Sequence, residues 1–236
     1  MSESAESGAR FAAYADLLAK AVGHADRRGP LTLYCQGLIL PGDRKSVEPM
    51  AARLDPDHVQ ARHQSMHHFV AQAGWSDEAL LRVVRDYARE AMEIQGPIEA
   101  WIVDDTAFPK KGTHSVGVGH QYCGPYGKTA NCQSAVNWLS TLPENIPIAQ
   151  LVRTAKLRWR IERDYQEMKD ELGLDHYEGR GWRGFHHHLS LCAATYAFIV
   201  AERSRLSPPT VQSIFGFIHA PPGAVPLPRG HGRVPA

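Results

Sequence analysis

The sequence predicts an α+β protein in which an all-helical module is followed by three antiparallel strands and a long helix. Apolar residues recur at helical spacing through the first 95 residues, which is typical of amphipathic helices. At Gly96-Pro97 the pattern changes to short, β-branched runs bounded by glycine and proline, as expected for strands. Between Leu151 and Gly173 the spacing again indicates one long helix. A chain of 236 residues can bury the core of such a fold.

The helical module is predicted to span residues 1–95. Its expected segments are residues 11–22, 31–40, 44–54, 61–73 and 76–95. The last segment has a clear start, because Ser76 is a good helix cap and is followed by Asp77 and Glu78. These segments predict a compact helical unit.

The first predicted strand, residues 98–105, reads IEAWIVDD and ends in Asp104 and Asp105. Residues 114–123 and 129–137 are predicted to form a hairpin across the turn Gly124-Pro125-Tyr126-Gly127-Lys128. The strands therefore favour an antiparallel sheet with two acids at the end of its first strand.

The long helix is predicted to carry two stripes of residues. Its apolar stripe, facing a core, consists of Leu157, Ile161, Tyr165, Met168 and Leu172. Beside it, Arg158, Glu162 and Lys169 return to nearly the same angle, so one acid lies between two bases. Gly173 is expected to end the helix in a left-handed conformation.

Two groups of histidines were considered as metal ligands, but their spacing in the sequence argues against that role. His63 and His67 are four residues apart, but no HEXXH motif is present, so packing or phosphate contact is the better interpretation. His186, His187 and His188 are adjacent and would point in three directions on a helix. They lie in a polar loop before an apolar helix predicted at residues 189–203.

Composition sets few limits on function. A formal net charge of +1 gives no bulk attraction to nucleic acid, so any such role must depend on local basic patches. The four cysteines form no CxxC pair, and no signal peptide or transmembrane run is visible, which indicates a cytoplasmic protein. Residues 207–236 contain seven prolines and no acid and are predicted to be a disordered tail.

The acids of the strand and of the long helix are candidate ligands for divalent metal. Carboxylates supply the hard oxygen ligands that Mg²⁺ prefers near a phosphodiester, so Asp105, Glu162 and the neighbouring Asp104 are candidate catalytic residues. Strand alternation allows only one of the two aspartates to face a metal, and by itself it leaves the choice between them open. Candidate contacts to the DNA backbone are Arg158, Lys169, Lys110, Lys111, Arg44, Lys45, Arg180 and Arg183.

Several stretches resemble the DDE transposases of bacterial insertion sequences, in particular the branch numbered seven-zero-one. They are WIVDDTAFPKKGTHSVGVGHQYCG, LRWRIERDYQEMKDELGLDHYEGRGWRGFHHH, LILPGDRKSVEPMAAR and HQSMHHFVAQAGW. Arg158, Glu162 and Lys169 fit that group's Tyr-x2-Arg-x3-Glu-x6-Lys pattern, although Ala155 occupies the Tyr position. The resemblance implies an RNase H-like domain over residues 96–206, a DNA-binding module over residues 1–95, Mg²⁺ at Asp105 and Glu162, and insertion-sequence ends as substrate.

One expected catalytic acid has no counterpart. Such enzymes carry a second Asp on a later strand, but between Asp105 and Asp164 the only acids are Glu144 and Glu162. The hypothesis is an internally deleted transposase, joined near Asn137-Trp138, whose truncated sheet lacks that segment and whose cleavage activity is lost. Two alternatives stay open: a protein that binds DNA ends and regulates or inhibits an intact transposase, alone or in a homo-oligomer or mixed oligomer, and a non-functional remnant.

Overall fold

The computed structural model describes residues 3–94, 96–98, 100–140 and 142–206, with the backbone alone for residues 3–4, 102–106, 135–140 and 206. The tail predicted at residues 207–236 lies outside this range. The described chain is α+β, as predicted. Its helices are α1 Glu3–Ala21, α2 Arg28–Ile39, α3 Val47–Leu54, α4 Val59–His67, α5 Asp77–Glu93, α6 Ile148–Ala155, α7 Trp159–Leu172 and α8 Trp182–Leu206. Its strands are β1 Ala100–Pro109, β2 Val118–Cys123 and β3 Lys128–Ser140.

One hydrophobic core joins the N-terminal helices to α7 and α8. From α1 to α5 it takes Tyr14, Leu18, Leu31, Leu38, Met50, Phe69 and Leu80, and from the end of the chain Leu172, Leu191 and Phe198. Two polar contacts cross the same boundary: Arg10 makes a bidentate ion pair with Glu202 at 2.7 and 2.6 Å, and the Tyr14 hydroxyl donates to the Ala194 carbonyl. The domain division at residue 96 stays a prediction, and the core extends across it.

Helix α5 starts where the sequence predicts, directly after the capping residue Ser76. The Ser76 hydroxyl accepts a hydrogen bond from the Ala79 backbone N–H at 3.1 Å, which satisfies a donor that the first helical turn leaves free. Asp77 and Glu78 follow in the first turn, where negative charge is favourable.

The three strands form an antiparallel sheet in the order β1-β3-β2. The predicted hairpin joins β2 to β3 through a short turn, and Gly127 ends that turn at φ +62, a conformation that favours glycine. The central strand is thus β3, which pairs with both of the others.

The predicted long helix is two helices, and the prediction of a single one is wrong. A 3₁₀ turn at Lys156–Arg158 separates α6 from α7. Just before it, the buried Thr154 hydroxyl donates to the Gln150 carbonyl at 3.1 Å, a local bond that commonly bends helices. Gly173 ends α7 at φ +63, as predicted.

The apolar stripe of α7 is buried only in part. Leu172 is 1% exposed and Met168 packs against the core, but Tyr165 is 52% exposed, contrary to the prediction. The following segment also differs, because α8 begins at Trp182 and therefore includes the residues expected in a polar loop. In the described part of the chain, no helix is long and apolar enough to cross a membrane.

Candidate functional site

Asp104 and Asp105 lie at a bulge in β1. Val103 pairs with Asn137 and Thr106 pairs with Ala135, so the two aspartates stand opposite a single residue of β3. A bulge interrupts the strict alternation of side chains and can redirect one of them. The argument that alternation lets only one of the two aspartates face a metal therefore does not apply at this point of the strand, and the choice of Asp105 stays a prediction. Their side chains lie outside the described structure.

Glu162 is placed on an open face of α7. Its side chain is 63% exposed, and its Oε1 lies 3.0 Å from Nη2 of Arg158 one turn earlier. Lys169 is exposed on the same helix. The predicted order of base, acid and base is thus present, with Arg158 in the 3₁₀ turn before α7 and with Glu162 and Lys169 on α7, and the acid is paired with the first base.

The face of α7 that turns toward the start of β1 holds a different acid. A cavity of about 420 Å³ lies there, lined by Ala100 and Trp101 of β1, by Arg160, Ile161 and Asp164 of α7, and by residues of α5 and α8. Glu162 is not among the residues that line it. The lining of this cavity is therefore mainly apolar, and its charged residues are Arg160 and Asp164.

Asp164 belongs to a cluster of hydrogen-bonded side chains that the sequence analysis did not identify. The Tyr196 hydroxyl lies 3.0 Å from Oδ1 of Asp164 and 3.2 Å from Oε2 of Glu167, so it can donate to either carboxylate. Burial raises the pKa of Asp164 above its ordinary value. Burial also acts on Glu167, but the hydrogen bond from Arg203, at 2.7 Å, and its other donors leave the pKa of that carboxyl lowered. This cluster ties α7 to α8.

Most of the predicted DNA contacts are on the surface. Lys110, Lys111 and Arg180 are exposed. Arg44 is exposed and pairs with Glu178 at 2.5 Å, and Arg183 is exposed while its Nη1 donates to the Gln72 carbonyl.

Lys45 is the exception and cannot meet a phosphate in this arrangement. Its side chain is 3% exposed, and its ammonium donates to the carbonyls of Leu38 and Leu40. Burial lowers the pKa of Lys45. These carbonyls lie at the end of α2, where helices lack internal partners, so Lys45 acts as a cap within the core.

The histidines occupy two kinds of environment. The rings of His63 and His67 stack on the surface of α4, with centroids 5.8 Å apart. His187 and His188 are buried in the core, contrary to the prediction of a polar loop, while His186 lies 3.4 Å from the Asp77 carboxylate. Among the residues whose side chains are described, no three His, Cys, Asp or Glu are grouped so that they could hold a metal ion.

Two acids thus lie at a bulge of the first strand, and α7 bears both acids and bases. A family model described as "DDE superfamily endonuclease" matches residues 17–160, more than half of the chain, and the protein belongs to this family. The match includes Asp104 and Asp105 and ends just before Glu162. No curated protein and no solved structure matched the chain.

Proposed function

We propose that this protein is a cytoplasmic, DDE-type insertion-sequence transposase that binds DNA ends but does not cut them. Its membership of the DDE endonuclease family supports DNA as the ligand. We infer the loss of cleavage from the acidic residues of the sequence, because Glu144 and Glu162 are the only acids between Asp105 and Asp164. A second aspartate is thus missing from the stretch where the resemblance requires it.

The metal chemistry of such an enzyme needs more carboxylates than the described chain brings together. Two-metal catalysis requires ligands that bridge both ions and align the attacking and leaving oxygens. Glu162 is exposed and paired with Arg158, and Glu144 lies exposed in the loop before α6. The described side chains do not form a magnesium site, so we assign no catalytic step to Mg²⁺. Asp105 and Glu162 remain its proposed ligands.

DNA binding does not need the missing acid. We propose that the exposed side chains of Lys110, Lys111, Lys169, Arg44 and Arg180 contact phosphates, together with Arg158 and Arg183. Each contact that neutralises a phosphate releases counterions, so affinity falls as salt rises. We assign residues 1–95 to recognition of DNA and residues 96–206 to the partial DDE domain.

A gel-shift titration with insertion-sequence terminal repeats tests the proposal. End-containing duplexes should bind more tightly than scrambled duplexes, and affinity should fall with salt. Lys169→Gln should weaken binding and reduce the salt slope by about one. Lys20→Gln removes an exposed charge that is not among the proposed contacts and should change neither quantity.

The alternative of a non-functional remnant predicts no preference for terminal repeats. The alternative of a regulator predicts that added protein inhibits an intact transposase, by competition for ends or in a mixed oligomer. Binding with end preference, no cleavage and inhibition in trans would together assign the regulatory role. Equal binding of repeat and scrambled duplexes would overturn the proposed function.

A further inference from the structure

Apolar side chains remain exposed around the cavity of about 420 Å³ that lies between the start of β1 and helices α5, α7 and α8. Trp101, which lines the cavity from β1, is 48% exposed. Ile161 of α7 and Val200 of α8, which line it from the helices, are only half-buried. Exposed apolar side chains around a concave site commonly mark a binding surface. The cavity is therefore a candidate site for an apolar occupant.

The described part of the chain ends close to this cavity. Ala201 lines the cavity from α8, and the helix ends at Leu206, about 8 Å further along its axis. Proline disfavours continuation of a helix, so a change of chain direction is expected at Pro208-Pro209. The nine residues from Leu206 to Phe215 span about 20–30 Å, depending on their conformation. Residues near Phe215 are therefore within reach of the cavity.

The sequence beyond α8 contains a run, residues 211–218, that would have one apolar face as a helix. Four apolar residues of this run recur at the spacing i, i+3, i+4 and i+7. They are Val211, Ile214, Phe215 and Ile218. Phe217 falls about 110° away from the centre of that face. Amphipathic helices that occupy hydrophobic grooves use anchors at this same spacing.

Charge and size also match between this run and the cavity. The sequence contains no Asp, Glu, Lys or Arg between Arg205 and Arg229, so docking would bring no further charged side chain to a mainly apolar lining. A cavity of about 150 Å³ holds one benzene molecule. A cavity of about 420 Å³ can therefore hold two side chains such as Phe215 and Ile218.

We propose that residues 211–218 dock in this cavity of their own chain, with Phe215 and Ile218 inserted between the start of β1 and helices α7 and α8. The docked segment covers Trp101 and adds apolar contacts between β1 and α7, the elements that carry the proposed metal ligands. The proposal concerns packing within one chain and does not depend on the proposed function.

Photocrosslinking of the purified full chain tests which residues contact the segment. A photoreactive phenylalanine analogue is placed at position 215 in one sample and at position 217 in a matched control, and the products are mapped by mass spectrometry. Position 215 should crosslink to Trp101, Ile161 or Ala197, all of which line the cavity, and position 217 should give severalfold less of these products. Equal yields from both positions, or none from position 215, would overturn the docking.

A second copy of the chain is the competing occupant, and the same experiment distinguishes it. Docking within one chain predicts crosslinked products that migrate as monomers on a denaturing gel, with a yield independent of protein concentration. Crosslinks found mainly in a dimer band, with a yield that rises with concentration, would contradict docking within one chain. They would identify the cavity as an interface between copies.

A matched pair of variants tests the contribution of the segment to stability. Phe215→Ser should lower the midpoint of urea unfolding of the full chain by about 1 M, because it removes a buried aromatic ring. Phe217→Ser makes the same chemical change off the apolar face and should leave the midpoint nearly unchanged. Both positions lie outside the core formed by α1 to α8, so both variants are expected to fold. Equal effects of the two variants, including no effect of either, would contradict the proposal.

Discussion

Tyr34→Phe should measurably destabilise the core while removing only one oxygen atom. The Tyr34 hydroxyl lies 2.9 Å from Nδ1 of His188, whose Nε2 lies 2.9 Å from the Gly173 carbonyl. Because that carbonyl can only accept, Nε2 carries the proton and Nδ1 accepts from Tyr34. The two bonds connect α2, α8 and the end of α7.

The size of the effect follows from burial. Tyr34 and His188 are each 1% exposed, so without the hydroxyl Nδ1 would be left without its donor where water does not reach it. An unsatisfied buried polar group costs about 1–3 kcal/mol. The Cys192 thiol, 4.0 Å from Nδ1, is too distant and too weak a donor to replace the hydroxyl. The phenyl ring keeps the packing volume, so we expect a loss of about 2 kcal/mol without a large cavity contribution.

Urea unfolding at neutral pH measures this loss. With a slope of about 2 kcal/mol/M, the midpoint should fall by about 1 M at unchanged slope. Tyr165→Phe is the matched control, because that ring is 52% exposed, and it should change the free energy of unfolding by less than about 0.5 kcal/mol. If Tyr34→Phe were as neutral as Tyr165→Phe, the assignment of this network as a structural link would be refuted.

Three further outcomes are expected. Leu191→Ala, at a fully buried position of α8, should cost about 2–5 kcal/mol in urea unfolding, whereas Leu81→Ala, at a position 41% exposed, should cost clearly less; equal costs would contradict the packing of α8. Burial lowers the folded-state pKa of His187, so the unfolded chain takes up the proton first and stability should fall as pH drops below about 6.5. His187→Gln should flatten this decline, and an unchanged pH profile would exclude His187 as its source. Glu162→Gln, which breaks the exposed pair with Arg158, should change the free energy of unfolding by less than about 1 kcal/mol, and a larger loss would show a structural role for Glu162.

Local signals predicted the elements whose geometry depends on a few neighbouring residues. Ser76 starts α5 because its hydroxyl satisfies a backbone N–H of the first turn, and Gly173 ends α7 because glycine adopts positive φ at low cost. The hairpin of β2 and β3 likewise depends on the turn that ends at Gly127. These features need no information from distant parts of the chain.

Features that depend on tertiary contacts could not be predicted in this way. Lys45 follows an arginine in a polar turn and was expected at the surface, but the carbonyls at the end of α2 recruit its ammonium into the core. His187 is polar by composition, yet its ring stacks on Trp75 at 3.6 Å and its nitrogens lie near the Val70 and Trp75 carbonyls. Both placements require partners five or more residues away in the sequence.

In the candidate site, too, the local feature could be predicted and the feature that depends on distant residues could not. The sequence predicts the spacing of Arg158 and Glu162, and the ion pair at 3.0 Å between the 3₁₀ turn and α7 agrees with it. It predicted alternation at Asp104 and Asp105, whereas the pairing of β1 with β3 places a bulge there. Strand pairing is non-local, so the bulge could not be read from the aspartates alone.

Strand cleavage tests the central claim most directly. Labelled terminal-repeat duplexes, incubated with the purified chain and Mg²⁺ or Mn²⁺ and separated on a denaturing gel, should remain intact at protein concentrations that shift them completely. A version with the missing segment restored serves as the positive control. Specific nicking by the chain itself, abolished by Asp105→Asn, would contradict the account.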